Sequence, residues 1–157
     1  MSKWQNFSIW RGRLPHWRAD DVTYWVTFNH KRDLEEAERS LLFRALVRPE
    51  GRKWNLVILC VLPGETNLLF TVNESSAGRP YELSDIVEKA KAKVGKAIIK
   101  KSGERWPPFY QESYDRIIRD AEELESKLLE ILESPVSHEL AEDSSEYDWL
   151  WVAGQPE

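Results

Sequence analysis

The sequence predicts an α+β protein, a ferredoxin-like sandwich in which one antiparallel sheet has helices packed on one face. Three observations predict it. In Trp54 to Val61 (WNLVILCV), seven of eight residues are apolar or Cys, a run too short for a buried helix and rich enough in Val and Ile for a central strand. Beyond the break at Pro63 and Gly64 the pattern alternates, with Leu68, Phe70 and Val72 on one face and Asn67, Thr71 and Asn73 making most of the other. A second strand folded back on the first has this pattern. The remaining segments follow in the order strand, helix, strand, strand, helix, strand, helix, the βαββαβ progression of that sandwich.

The elements can be justified in chain order. Arg11 to Trp17 (RGRLPHW) is an irregular basic lead-in, and its His16, next to Trp17, reads as a structural residue. Thr23 to Phe28 (TYWVTF) is dense in β-branched and aromatic residues and forms the first strand. Asn29 and His30 stand at its end, where a site could form, although a lone His there serves packing more often than chemistry. Asp33 with Glu36 makes a capping box, and Leu34, Ala37, Leu41 and Ala45 mark the buried face of a helix that ends before Pro49. After the central hairpin, NESSAGRPYE is a loop of turn formers.

A second helix is expected from about Ser84 to Lys101, with Leu83, Ile86, Val87, Ala90, Val94 and Ile98 on one stripe. Lys89, Lys93, Lys96 and Lys100 form a stripe beside it, either a solvated face or a rail for a phosphate backbone. Gly103 ends that helix, and Trp106 to Phe109 (WPPF) imposes an extended connection. Tyr114 to Arg119 (YDRIIR) is a short strand. Asp120 with Glu123 opens a third helix whose apolar stripe is Ala121, Leu124, Leu128, Ile131 and Leu132, stopped by Pro135. Glu130 and Ser134 share its polar face. The aromatics of YDWLWV are expected to clamp the tail against the body.

Composition sets the frame for these elements. With 157 residues, 41% apolar and 11% aromatic, the chain can bury a core, and a single domain spanning 1–157 is expected, with a core over about 11–136 and an acidic aromatic tail over 137–157. Most of the eight Trp residues are assigned to packing rather than to a base-stacking surface. A single cysteine, Cys60, excludes an internal disulfide and fits a reducing compartment. MSKWQNF has no apolar leader pattern and no stretch has the length of a membrane span, so a cytoplasmic location is expected. The net charge is -5, but its sign is segregated: six Lys and one Arg fall between Lys89 and Arg105, while from Asp120 onward Lys127 is the only Lys or Arg among twelve acids. An acidic total therefore leaves room for an anionic partner.

RGRLPHW, TYWVTF, LPGETNLLF, YDRIIRD, ESPV and YDWLW, in that order from about Arg11 to Trp151, resemble successive landmarks of the REP-associated, single-tyrosine transposases of the HUH superfamily. The resemblance implies a ferredoxin-like fold and a hairpin or single-stranded DNA partner. It also implies a divalent metal, Mg or Mn, held by a His-hydrophobic-His pair, and a helix-borne Tyr that attacks a phosphodiester. Two His at i and i+2 on a strand converge on one metal, which polarises the phosphate, and the Tyr forms a covalent intermediate. On the register of the landmarks, the His positions are Glu65 and Asn67, the Tyr position is Glu130, and the ligand position before the Pro is Ser134. All four have changed. A carboxylate at 130 carries negative charge toward an anionic phosphate and would form a labile mixed anhydride.

The resemblance thus implies a degenerate member with no catalytic residues, no metal ligands and no cofactor. It would bind DNA through Lys89, Lys93, Lys96, Lys100, Arg116 and Arg119 without cutting it. Two other readings remain open: a protein-interaction or structural module that has lost DNA binding, with a homodimer or protein partner, and a residual metal-dependent strand transferase. The last would use Glu65 and Asn67 as oxygen ligands and Tyr110 or Tyr114 as nucleophile.

Overall fold

The computed structural model describes residues 23–72 and 83–153. The lead-in from Arg11 to Trp17, His16 included, and the loop 73–82 lie outside the described residues. The elements are β1 (Thr23–Asn29), α1 (Glu36–Val47), β2 (Trp54–Val61), β3 (Glu65–Val72), α2 (Leu83–Ser102), β4 (Tyr114–Ile117), α3 (Ala121–Ser137) and β5 (Leu150–Val152), with a 3-10 turn at Ser144–Glu146. The five strands form one sheet in the order β4-β1-β3-β2-β5, and every neighbouring pair is antiparallel. Among the described residues, no helix is long and apolar enough to cross a membrane.

The β2–β3 hairpin is the centre of the molecule, as its apolar run predicts. Leu62 N donates to Glu65 O at 2.8 Å across the Pro63–Gly64 turn. A register shift between Leu56 and Ile58 puts an extra residue into β2. Leu56, Leu59 and Val61 therefore enter one core, while Val57, Ile58 and Cys60 enter the other. β3 divides in the same way: Leu68 and Phe70 belong to the first core and Leu69 to the second. A central strand that is apolar on both sides must be covered on both sides.

Helices provide that cover on each face. The α+β class and antiparallel sheet are as expected, and α1 and α2 pack together on one face through Leu42, Leu46, Ile86, Val87, Val94 and Ile98. The third helix takes the opposite face, where Leu124, Leu128, Ile131 and Leu132 pack on Ile58, Cys60 and Leu69. Helical periodicity predicts which stripe is buried but carries no information about which side of the sheet receives it.

The ends of two helices also differ from what the sequence pattern predicts. The capping box of α1 joins Glu35 and Glu38, two residues beyond Asp33 and Glu36. Leu34 N donates to Pro63 O at 2.9 Å, which holds the chain extended up to the cap. Leu42 and Leu46 are the buried leucines of α1, while Leu41 is exposed and Ala45 half-buried. Glu38, buried at that face, accepts both Arg32 Nη atoms at 2.8 and 2.7 Å, and Arg32 also reaches Glu104 beyond α2. This pair holds the Glu38 carboxyl below the usual carboxylate range, chiefly through the Arg32 hydrogen bonds.

Helix α3 has Asp120 as its cap, with Glu123 N donating to Asp120 Oδ1 at 2.8 Å, but it does not stop at Pro135: it runs on to Ser137. A proline inside a helix leaves the carbonyl four residues earlier without its donor. Ser134 Oγ donates to that carbonyl, Ile131 O, at 2.6 Å, so the turn survives. Ala121, at the first position, is exposed.

The tail clamps as expected and contributes a strand that its sequence pattern does not announce. β5 pairs with β2 through Ile58↔Val152, Leu59↔Trp151 and Cys60↔Leu150. Tyr147 is buried with its hydroxyl donating to Val61 O at 2.6 Å, and Trp149 Nε1 donates to Ser40 Oγ at 2.9 Å. The Pro-rich connection after α2 lies so close to that helix that a Cβ at Gly95 would stand 2.9 Å from Pro107 Cβ, which explains a glycine in the middle of a helix.

Candidate nucleic-acid interface

The strand register decides which side chains share the face covered by α3. Cross-strand partners point the same way, so Tyr114, Thr27, Asn67 and Cys60 form one row across β4, β1, β3 and β2, with Asn29 and Glu65 in the next. Helix α3 passes over the Cys60 end of this row, where Ser134 Oγ lies 3.6 Å from Cys60 Sγ. Lys127, Glu130, Ser134 and the C-cap His138 are spaced by three, four and four residues and follow one edge of that helix. The four positions implied by the resemblance, Glu65, Asn67, Glu130 and Ser134, are therefore brought to one side of the sheet.

Of the three acidic or hydroxyl groups there, Glu130 and Ser134 are hydrogen-bonded within the protein and Glu65 stands beside an imidazole. Glu65 Oε1 is 3.6 Å from His138 Nε2. Glu130, exposed, accepts from Lys127 Nζ at 2.9 Å. The Ser134 hydroxyl is engaged by Ile131 O. Cys60 is fully buried, and desolvation pushes its thiol up to about 12, so it stays protonated and inert. Glu65 and Asn67 offer two oxygens, but Ser134 supplies no third, and no group of three or more His, Cys, Asp or Glu able to hold a metal is found among the described residues. From these four positions alone, the donors fall short of the imidazole pair and third ligand that would hold a divalent metal over a phosphate.

His138 is the residue that the sequence pattern conceals. Its Nδ1 donates to Ser134 O at 2.8 Å, which aims Nε2 at Glu65. Together they line a recess of about 460 Å³ with Asn29, Asp33 and Gly64. The helical spacing from Glu130 through Ser134 to His138 is the available signal, obscured because Pro135 reads as a stop.

His30 is structural. It is buried, with Nδ1 2.6 Å from Pro63 O and Nε2 2.9 Å from Thr66 Oγ1. A carbonyl only accepts, so Nδ1 carries the proton and Nε2 accepts from the threonine hydroxyl, the pattern of a neutral imidazole. Desolvation lowers its pKa further. The unfolded chain then binds a proton more readily than the folded one, so stability is full above the ordinary value of about 6.5 and falls as pH drops below it. Urea unfolding at pH 7.0 and 5.5 is expected to show a decrease in stability for the native protein that is smaller in His30→Gln; equal decreases would remove His30 as the cause.

The predicted DNA-binding cations fall into two groups. Lys89, Lys93, Lys96 and Lys100 are exposed along α2, and this helix lies on the opposite face of the sheet from α3. Arg116 and Arg119 both pair with Glu123, at 3.3 and 3.0 Å. On the α3 side, cationic and aromatic groups instead meet at Trp25, whose ring has Lys127 Nζ 4.0 Å and Arg116 Cζ 5.5 Å from its centre. Tyr114 packs edge-on against Trp25 at 5.3 Å. Tyr110 and Tyr114 border a groove of about 690 Å³ whose lining includes Thr27, Asn29, Lys31 and Ser113.

No family model matches the chain, and no curated protein matches it in sequence. Among solved structures, a REP-associated tyrosine transposase bound to a REP hairpin aligns with a TM-score of 0.64 at 15% identity, covering 87% of this chain and 81% of that one. A protein of Deinococcus radiodurans R1, provisionally described as a transposase, aligns with a TM-score of 0.43 at 15% identity, over 76% of this chain and 95% of that one. The first likeness establishes that this chain has the fold of a REP-associated tyrosine transposase.

Proposed function

We propose that this chain, built on the fold of a REP-associated tyrosine transposase, binds hairpin or single-stranded DNA and does not cleave it. The observation that carries the reading is the set of groups at the four positions: Glu65, Asn67, Glu130 and Ser134 provide neither a phenol nor a metal-binding imidazole pair, and Glu130 and Ser134 are hydrogen-bonded within the protein. Two further features support a DNA partner. The transposase with this fold was solved with a REP hairpin bound. The four lysines of α2 are exposed at helical spacing, suited to phosphates rather than base edges. Arg116 and Arg119 are assigned a lesser part, because a phosphate must compete with Glu123 for both.

The test is fluorescence anisotropy of a labelled DNA hairpin with a single-stranded flank, titrated at several salt concentrations with and without Mg²⁺. Saturable binding that weakens with salt, with no covalent adduct, is expected. The variant with Lys89, Lys93, Lys96 and Lys100 all changed to Gln should lower the slope of log K against log salt by roughly 0.7–0.9 for each phosphate no longer neutralised. An unchanged slope would take α2 out of the interface. Absence of binding at low salt would turn the assignment to a protein-interaction module, and an adduct would turn it to a strand transferase.

A further inference from the structure

In the groove between the end of β1 and residues 110–114 two large aromatic side chains keep about half of their surface in solvent, although Tyr114 also packs edge-on against Trp25. Tyr110 is 50% and Tyr114 55% exposed, whereas Tyr147 in the tail is buried. A single exposed aromatic needs no explanation, but two lining one recess form an apolar surface suited to a partner that brings a flat ring against them. The surroundings narrow the partner's chemistry. Lys31 Nζ lies 5.7 Å from the centre of the Tyr110 ring, while Lys127 and Arg116 lie over Trp25 behind Tyr114. Asn29 and Ser113 add hydrogen-bonding groups, and Glu112, also exposed, is the one acid of the lining among the described residues. Flat apolar rings beside cations suit a base with its phosphate.

The segment between the tyrosines is also held in place. Lys91 of α2 is 5% exposed, and its Nζ reaches Gln111 O at 3.4 Å and Ser113 Oγ at 3.3 Å while lying 4.9 Å from the centre of the Phe28 ring. An ammonium group inserted under a surface connection fixes that connection before any ligand arrives, so little ordering is left to oppose binding. It also ties the groove to the helix that carries the exposed lysine stripe.

We infer that Tyr110 and Tyr114 are stacking platforms for unpaired nucleotides of a single-stranded DNA segment, with Lys31 facing its backbone. This rests on the DNA-binding reading and assigns the single-stranded part of the ligand to this groove rather than to α2. Both tyrosines act as rings, and neither hydroxyl is needed.

The test compares two labelled DNA probes, a blunt hairpin and the same hairpin with a four-nucleotide single-stranded flank, against the full chain and the variants Tyr110→Ala, Tyr114→Ala, Tyr110→Phe and Tyr114→Phe. The flanked probe should bind the native protein more tightly, and each Ala variant should lose about tenfold or more of that advantage while blunt-hairpin affinity stays unchanged. The Phe variants should keep it. An advantage that survives both Ala changes, or a native protein that does not distinguish the probes, overturns the platform and leaves DNA binding standing. Failure to bind either probe overturns both. Thermal melting checks each variant; should Tyr114→Ala fail to fold because its ring packs on Trp25, Tyr110→Ala, which removes a half-exposed ring beside Lys31, decides the matter alone.

Discussion

Val57→Asp will abolish cooperative folding. Val57 is 3% exposed at the bulge of β2 and sits in the core beneath α3 with Ile58, Leu69, Leu124 and Leu128. The buried side chains of that core are aliphatic apart from Cys60 and Tyr147, so a carboxylate there is neither paired nor hydrated. Leaving an unpaired charge in such a place costs several kcal/mol even after relaxation, against a total stability of about 5–15 kcal/mol for a domain. Val57→Ala separates charge from volume: it removes two methyl groups and should cost about 1–3 kcal/mol, with the domain still folded. Urea unfolding followed by circular dichroism reads both. A cooperative transition for Val57→Asp near that of the native protein would mean that β2 is not covered on the α3 side, and the two-sided architecture would fall with it.

The same residue shows where the sequence was legible. The hairpin could be read because β2 and β3 are dominated by short-range pattern: an apolar run, a Pro-Gly break and an alternation. The run also held the less obvious message that the strand is buried on both faces, which requires a helix on each side. Boundaries were harder, since they depend on partners distant in sequence. The start of α1 is set by Pro63 O holding Leu34 N, and the end of α3 by a serine hydroxyl that replaces the donor Pro135 lacks. In the candidate site, Glu65, Asn67, Glu130 and Ser134 could be placed together from the order of landmarks, and strand register and helix spacing bring them to one face. The groove at Tyr110 and Tyr114 could not be read in that way. It depends on Lys91, a member of a continuous lysine-rich helix, turning inward while Lys89 and Lys93 turn out.

Ending the chain at Glu142 will destabilise the domain severely. By composition the tail is acidic, with aromatics expected to clamp it against the body, and Tyr147, Leu150 and Val152 are buried in the core beneath α3. Burial of Leu150 and Val152 contributes about 1.5–3 kcal/mol each, and the larger Tyr147 adds to this, so the loss approaches the lower end of total domain stability even after allowing for a compact unfolded state. The truncation also strips Ser144 Oγ from Leu132 O, a 2.6 Å hydrogen bond at the end of α3, and Tyr147 from Val61 O. Beyond the area no longer buried, Ile58, Leu59 and Cys60 are left without their partners on β5, and the most apolar strand of the protein becomes a sheet edge. An uncovered edge of that composition pairs with other chains. The truncated protein is therefore expected to aggregate on size-exclusion chromatography, or to unfold at a much lower urea concentration than the full chain. Tyr147→Phe, which removes only the buried hydroxyl, should cost about 1–3 kcal/mol and leave a monodisperse protein. If the truncated chain unfolds at the same urea concentration as the full chain, the tail is an appendage and β5 contributes nothing to the sheet; if it fails while Tyr147→Phe holds, the C-terminal aromatics belong to the folding unit, and the domain cannot be cut at Pro135.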